Sequence, residues 1–527
     1  MRYRPFIREP EPHECALSSW YPSAGTKRKD LMRQRLARLS RRLYLPYTWN
    51  SKPSNEFETW ENPQIPAGYT YVTQFLAHDC VNTSIPTSAL GDRRLVRNGR
   101  SAAFELETLY GGGFDGCAHA IAPNSGDEFA PSKLALGNIR MAEPEKGECR
   151  FRDIARSKVG NEDGIANGLK GVRIADDRND NNVLVSQVTV LFTLFHNCMV
   201  DMLGSHVRAQ REAARTQQLY ARLFLEAKSI CVAAYRSVIA KDLMPRLLHP
   251  AVYAHYASGD APFVDRSVGE EITLEFLQAL RFGHAMVRPH YRVNDAYHRR
   301  ERLIDVLLTT SRGRPWRLPL DETWAVNWSN FLSLSDTRPN ASRRIGPSFS
   351  TDLMSAQVFE SIDDTGAVGL AYRDLVSGAG LGVWSVAGLL EQLNARAPEF
   401  VRASPLLSDR QRRETIIRAW LAEGAEAAGL DVDDIREIAA DPPLLVFILI
   451  EAANDMAGER LGILGSILIA ETVFKALRSN PMGDAVGGGR MNPGCDRDRD
   501  PTFTSMSDIV RFVHGRARPD ESVVPFV

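Results

Sequence analysis

Three stretches place reactive side chains on segments that are otherwise apolar. In "YVTQFLAHDC" (residues 71–80), Gln74, His78 and Asp79 interrupt a run that a helix would bury. Gln74 and His78 are four residues apart and so share one helical face. In "ADDRNDNNVLVSQVTVLFTLFHN" (175–197), Arg178 stands just ahead of a helix whose apolar face carries Leu184, Val188, Leu191 and Phe195. In "FLQALRFGHAMVRPHY" (276–291), His284 follows Gln278 and Arg281 along a third apolar helix. An imidazole exchanges protons near neutrality and can ligate a metal, and a guanidinium carries a fixed charge. None of these groups belongs in a core unless it finds a partner. Taken one at a time, each island reads most simply as a histidine with a satisfied hydrogen bond or an arginine closing a helix end. Composition and spacing give a large helical protein with a buried histidine site, and do not bring the three islands together in space.

The elements that must carry these residues are helices. Apolar residues recur with a 3.6-residue period over 183–206, 212–244, 271–286, 409–428, 443–453 and 461–477. Asp441-Pro442-Pro443 predicts the start of the fifth, with Asp as cap and Pro in the first turn. Alternating strand-like runs are rare, and no internal repeat or βαβ rhythm occurs. The expected class is mostly α, a large single helical domain over 62–527 with long irregular connections such as 321–355 and 479–503. It is preceded by an N-terminal arm, 1–61. Within that arm, "KRKDLMRQRLARLSRRLY" (27–44) reads as a packed or solvated basic helix. The runs "YGGGFDG" (110–116) and "GDAVGGG" (483–489) fit neither phosphate-loop nor dinucleotide spacing and read as turns. "DDRNDNN" (176–182) lacks the Gly and Glu of an EF-hand loop, and "CDRDRD" (495–500) reads as a solvated loop.

The totals exclude several classes. Lys+Arg (64) and Asp+Glu (65) balance in 527 residues, which argues against a partner bound through overall charge, whether nucleic acid or an anionic membrane. Seven scattered cysteines, an odd number with no CxxC pair, indicate neither a zinc site nor a disulfide framework. The N-terminus "MRYRPFIREPEPHECALSSW" has no apolar h-region, and the apolar run 443–453 is too short to span a bilayer. The expectation is a cytoplasmic protein without a membrane span, unless it leaves the cell by a route needing no classical signal.

The order of the islands carries a resemblance. "NPQIPAGYTYVTQFLAHD" (62–79), "AFELETLYG" (103–111), the stretch around Arg178, "LRFGHAMV" (280–287), "AYRDLVSGAGLG" (371–382) and "PLLVFILIEAANDMAGERLGILGSILIAE" (443–471) follow one another as do the motifs of the animal-type heme peroxidase (peroxidase-cyclooxygenase) superfamily. The likeness is to its compact bacterial form, from about residue 62 to 512. It implies that His78 is the distal acid–base histidine, that Arg178 is the distal arginine stabilising charge on the leaving oxygen, and that Gln74 lines the peroxide pocket. It implies that His284 is the axial ligand of the heme iron. Asp374 falls where the family has an asparagine bonded to the proximal histidine, and Ser377 replaces an arginine that meets a heme propionate, which leaves Arg281 for that propionate. The carboxylates that form ester bonds to heme in mammalian members are replaced by Ala77 and Asn181, and the sulfonium-forming methionine by Asn182. The implied cofactor is therefore heme b held without covalent links. The resemblance also implies a calcium site, at positions that read Asp79, Ser101, Glu105 and Glu107 here; the plainer reading has these acids facing solvent or paired with Arg94 and Arg97.

The expected function is a hydrogen-peroxide-dependent oxidoreductase that works through a ferryl intermediate and oxidises a halide, a phenol or a biosynthetic intermediate. The sequence leaves the reducing substrate and the oligomeric state open. A second reading is a heme dioxygenase of the fatty-acid type; those relatives carry a radical-forming tyrosine three residues before the proximal histidine, where this chain has Arg281. A third is a non-catalytic scaffold that retains the fold, against which stands the joint presence of His78, Arg178 and His284.

Overall fold

The segments with a helical apolar period are helices in a computed structural model of the chain, which describes residues 3–4, 6–7, 10–11, 13–15, 25–49, 57–83, 97–123, 126–141, 149–157, 171–209, 217–259, 272–295, 300–478 and 503–516. The glycine run 483–489, the charged run 495–500 and Arg94 lie outside these residues. The elements that matter for the site are helix α1 (Thr26–Arg42), strand β1 (Glu61–Pro66) and helices α2 (Gly68–Cys80), α3 (Val183–Ala209) and α4 (Gln217–Val238). Further along come α5 (Leu274–Ala279), continued by a 3-10 turn over Leu280–Met286, then β2 (Ala341–Arg343), α6 (Leu370–Leu381), α7 (Leu444–Asp455) and α8 (Ile463–Arg478). Strands are short; among the described residues they form four two-stranded ladders.

The basic helix α1 is packed. Arg35 and Arg38 converge on Asp434, and the buried Arg42 donates Nε–H to the Trp420 carbonyl at 2.9 Å. These three charges are thus spent inside the fold rather than offered to a polyanion. β1 pairs antiparallel with β2, Glu61 opposite Arg343 and Pro66 opposite Ala341, and this ladder delivers the chain to α2. The Gly68 N–H donates to the Phe331 carbonyl at 2.9 Å, and a Cβ on residue 68 would stand 2.4 Å from that oxygen. Glycine at that position is what lets α2 begin so close to the neighbouring backbone.

Helix α2 is held by aromatic packing. Phe75 stacks on Phe192 of α3 at 5.1 Å, and Tyr235 of α4 meets both rings edge-on. Each such pair contributes roughly 0.5–1.5 kcal/mol beyond area burial. Helix α3 is the longer of the chain's apolar helices, ahead of 443–453. Its Val183–Val207 portion, with mean hydropathy 1.7, is long and apolar enough to cross a membrane, but that window is wholly buried within the protein. It is a core helix.

Behind α5 lies α7, whose residues from Leu444 to Ala453 are all buried. Burying each Leu, Ile or Phe side chain stabilises by roughly 1.5–3 kcal/mol, so this helix forms a firm backing for α5 and α6. Its start differs from the expectation. Pro443 itself is the N-cap, with no side-chain cap, and Asp441 closes the preceding helix Val432–Ala440 through its N–H to the Glu437 carbonyl. Two prolines in succession keep Asp441 too far from the first free amides of α7. The buried Glu451 caps the next helix instead, accepting from Leu464 and Gly465 N–H at 2.7 and 3.0 Å. Burial pushes its carboxyl up to about 8. Helix α6 approaches α5 at Gly378, where a Cβ would lie 2.8 Å from Gln278 Nε2. This contact sits one turn beyond Asp374 and sets how near that carboxylate comes to the end of α5.

Candidate active site

Residual exposure marks where two otherwise buried elements stay partly open to solvent. On α2 only Gln74 and Ala77 are half-buried, with every other residue of the helix buried. On α5 and its 3-10 turn the same is true of Arg281, Gly283 and His284. The two elements touch beside these positions: a Cβ on Gly283 would meet only the Thr73 methyl of α2, at 3.7 Å.

On the α2 side, His78 is buried and its Nδ1 lies 2.8 Å from Asn179 Oδ1. The Asn179 amide is fixed from behind, donating from Nδ2 to the Thr108 carbonyl at 3.2 Å and to its hydroxyl at 3.1 Å. A carbonyl only accepts, so Nδ2 must face Thr108 and Oδ1 must face His78. That places the proton of the neutral imidazole on Nδ1 and leaves Nε2 with a free lone pair. Burial, and then the charge of Arg178, lower the His78 pKa to about 4, so the ring is neutral at pH 7. Gln74 meets Asn182, whose Nδ2 donates to its Oε1 at 3.0 Å.

Arg178 stands on a 3-10 turn, Asp177–Asp180, immediately before α3. Its guanidinium makes four hydrogen bonds. Nε and Nη2 grip Asp176 at 2.9 and 2.6 Å, while Nη2 and Nη1 also reach the carbonyls of His78 (2.8 Å) and Val81 (2.5 Å) at the end of α2. Burial alone would raise the Asp176 carboxyl, but hydrogen bonds and charge from Arg178, with His78 and Arg100, hold it well below the usual carboxylate range. Arg178 is therefore both a closure for the α2 C-terminus, where free carbonyls need donors, and a fixed positive charge beside His78.

On the other side, His284 Nδ1 lies 2.7 Å from Asp374 Oδ2, and Arg281 Nη1 donates to Asp374 Oδ1 at 2.7 Å. Arg281 Nη2 donates to Ser377 at 2.8 Å. One buried carboxylate of α6 thus orients both side chains of the 3-10 turn. The His284 side chain is 35% exposed while Asp374 is 1% exposed, so Nδ1–H is committed to the buried carboxylate and Nε2 is left to the exposed side of the ring. Arg281, expected at a heme propionate, donates from its two terminal nitrogens to Asp374 and Ser377.

These features fit a heme. An imidazole with Nδ1–H anchored on a carboxylate and Nε2 open is the form in which histidine ligates iron. Gly283 and the half-exposed strips lie on the same two elements. The expected calcium positions do not assemble. Asp79 accepts from the backbone N–H of Leu106 (3.2 Å) and Thr108 (3.0 Å), so amide hydrogens stand where a cation would. Burial, with the nearby charge of Glu107, pushes its carboxyl up to about 7. The Ser101 hydroxyl accepts from Ala103 N–H, and Glu107 accepts from Ser101 N–H and lies 4.0 Å from Arg100. Glu105 is half-buried nearby, and among the described residues no three acidic, histidine or cysteine side chains gather as a metal cage.

Sequence reasoning missed Asn179 and Asp176, which orient His78 and Arg178. The signal was the density of Asp and Asn over 176–182, discounted because it failed as an EF-hand. Replacing Asn179 with leucine would free the His78 ring to change tautomer. Loss of such an orienting partner typically costs about 10–100-fold. The expected result is a peroxide reaction slower by that factor at unchanged heme content, measured by stopped-flow; an unchanged rate would mean that Nδ1 needs no acceptor.

The animal haem peroxidase family profile matches residues 132–368, a span that includes Arg178, Arg281 and His284 and leaves His78 and Asp374 outside. No curated protein matches. Among solved structures, peroxidase A from Dictyostelium discoideum superposes with a TM-score of 0.55 at 14% identity, covering 93% of this chain and 89% of its own. The fatty acid alpha-dioxygenase of Oryza sativa gives 0.53 at 13% identity, covering 93% and 81%. At these identities the likeness is one of fold.

Proposed function

The chain belongs to the peroxidase-cyclooxygenase superfamily, and from that premise we propose that it is a heme peroxidase using hydrogen peroxide to oxidise a small-molecule reductant such as a halide, a phenol or a biosynthetic intermediate. The observation that carries the reading is that two imidazoles, on elements that touch, are each anchored through Nδ1, His284 on Asp374 and His78 on Asn179, which leaves each Nε2 for ligation or proton exchange.

His284 would hold the iron and His78, with Gln74, would face the peroxide. Heme b, when bound, supplies the iron at which the peroxide O–O bond breaks and the two oxidising equivalents are stored. The remaining work belongs to side chains. His78 Nε2 takes the proton from the proximal oxygen of peroxide. The resulting imidazolium, strongly acidic beside Arg178, returns that proton to the departing oxygen, which leaves as water. Arg178 holds the end of α2 and keeps the ring neutral between turnovers. The Asp374 carboxylate strengthens His284 as a donor, and Arg281, by sharing that carboxylate, limits the effect. Ala77 and Asn181 offer no carboxylate for an ester bond, so the heme would be held without covalent links.

The test is turnover of the purified, heme-loaded chain with hydrogen peroxide and a phenolic reductant in the absence of lipid. Steady oxidation of the phenol is expected. Oxygen uptake with a long-chain fatty acid, without peroxide turnover, would replace this reading with the dioxygenase one.

A further inference from the structure

The turn that bears Arg178 and Asn179 has a second face. It is a 3-10 element, Asp177–Asp180, with three residues per turn, so Asp177 and Asp180 lie one above the other, apart from the sides that carry Arg178 and Asn179. Both carboxylates are met by consecutive residues of one loop, which follows the helix Leu303–Leu308. Arg312 pairs with Asp177, and Ser311 N–H donates to Asp180 Oδ2 at 2.9 Å. The two contacts differ in weight. The Arg312 and Asp177 side chains are 69% and 57% exposed, where an ion pair contributes little. Asp180 is buried, and its other oxygen lies 2.7 Å from Arg156 Nη1.

Arg156 joins the turn and the loop to a third element. Its Nη1 also donates to Ser311 Oγ at 2.6 Å, and its Nε donates to Asp153 Oδ2 at 2.8 Å. Asp153 stands on the strand Arg152–Ile154, which is laddered to Leu136–Asn138. The side chains of Asp153, Arg156 and Asp180 are at most 4% exposed. Loss of Arg156 would leave two buried carboxylates without a counter-charge. The loop itself is firm: Arg314 N–H donates to the Thr310 carbonyl at 3.1 Å, Gly313 N–H to Thr310 Oγ1 at 3.0 Å, and Arg314 Nη1 to Asp305 Oδ1 at 2.6 Å. A four-residue 3-10 turn has poor internal hydrogen-bond geometry, so what it is pinned to sets its place. Toward α2 the pins are Arg178, on the His78 and Val81 carbonyls, and Asn179, on His78 and Thr108. Asp180, next in the chain after Asn179, is the buried pin on the other face.

We propose that Ser311 and Arg156 form a seat for this turn and that Asp180, the residue seated, is a positioning residue for His78, acting through Asn179 and Arg178. The seat keeps the Asn179 carbonyl against Nδ1 and the guanidinium beside the ring. Its use in peroxide chemistry rests on the heme reading above; the seat itself is a property of the chain without heme.

The test follows His78 in the full chain without heme, by nitrogen-15 NMR of labelled histidines, with the His78 signals assigned by their absence in His78→Leu. The charges that face the ring are Arg178 and Asp176 from the turn, and Arg100, which donates to Asp176 at 2.7 Å. In the wild type the ring should stay neutral, its proton on Nδ1, down to about pH 5. In Asp180→Asn one of the two donors, Ser311 N–H or Arg156, meets an amide N–H instead of an oxygen, and the turn shifts. The ring then loses the Arg178 charge and the cover of the turn. Its midpoint should rise by about one unit or more, with both tautomers present. The heme-loaded variant should react with peroxide about 10–100-fold more slowly. Arg156→Lys keeps the charge but not the fork and should move the midpoint the same way; it decides the matter if Asp180→Asn does not fold. Glu451→Gln, at the buried cap of α8, is the control. It should lower the thermal midpoint and leave the His78 titration unchanged, which separates positioning from mere loss of stability. A wild-type His78 midpoint in the folded seat variants, or an equal shift in Glu451→Gln, would overturn the seat alone. A wild-type chain that takes up no hemin would overturn the heme reading and the catalytic use of the seat with it.

Discussion

His284→Ala yields a protein that shows no Soret band after reconstitution with hemin. On the α5 side the His284 ring is partly exposed, and its Nδ1 is committed to Asp374 at 2.7 Å. On the proposed reading this removes the iron ligand itself, so the loss of affinity should exceed the roughly 10–100-fold that loss of an outer partner costs. The fold should survive. The residue is partly exposed, and its removal leaves Asp374 still bound to Arg281 at 2.7 Å, so no buried charge is orphaned. The circular dichroism spectrum and thermal midpoint of the apo variant should match those of the apo wild type. Asp374→Asn is the informative companion. It should keep the heme but raise the iron reduction potential, because an amide donates less electron density through the His284 N–H than a carboxylate does. Retention of a normal Soret band in His284→Ala would remove His284 from the axial position and, with it, the main support for the proposed reaction.

The second large effect falls on His78. His78→Leu should bind heme as well as the wild type and react with hydrogen peroxide slower by about 10²–10⁴-fold, the usual range for losing a positioned acid–base group. The pH dependence has a definite sign. The His78 pKa is lowered to about 4 by burial first and the Arg178 charge second. The neutral, proton-accepting form therefore dominates at all pH values above about 5. The wild-type rate should be flat from there through neutrality and fall about tenfold per unit below pH 4. In the leucine variant that acid limb should vanish. The same shift acts on folding: a histidine with a lowered folded pKa contributes stability that is present above the unfolded value and is lost as pH falls from about 6.5 toward 4. The thermal midpoint should thus begin to drop as pH falls from about 6.5, before peroxide reactivity is lost near pH 4, and the variant should show a shallower drop. A rate within threefold of wild type in His78→Leu would mean that another group moves the proton.

How much of this could be read beforehand differs by element. Helices with a clean 3.6-residue period were legible because burial of one face dictates that period; α3, α7 and α8 all appear within a few residues of the expected limits. The pattern over 409–428 was legible as helix but not as two helices, Arg410–Glu423 and Ala425–Ala428, because a break at Gly424 costs little and leaves the period almost intact. The start of α7 was misread because Asp and Pro are start signals whose reach depends on backbone geometry.

At the site, the residue types determined the possible chemistry. Two histidines and an arginine on apolar segments had to find partners or a cofactor, and the motif order tied them to one family. The pairing of His284 with Asp374, ninety residues apart, could be expected only by resemblance. The tertiary structure decided who orients whom. Arg281 serves Asp374 and Ser377, Arg178 serves Asp176 and the end of α2, and Asp79 serves two backbone amides. Each of these is a choice among several oxygen or nitrogen partners of similar intrinsic strength. Such choices are settled by which donor lies at 2.7 Å after packing, and a linear sequence carries no distances.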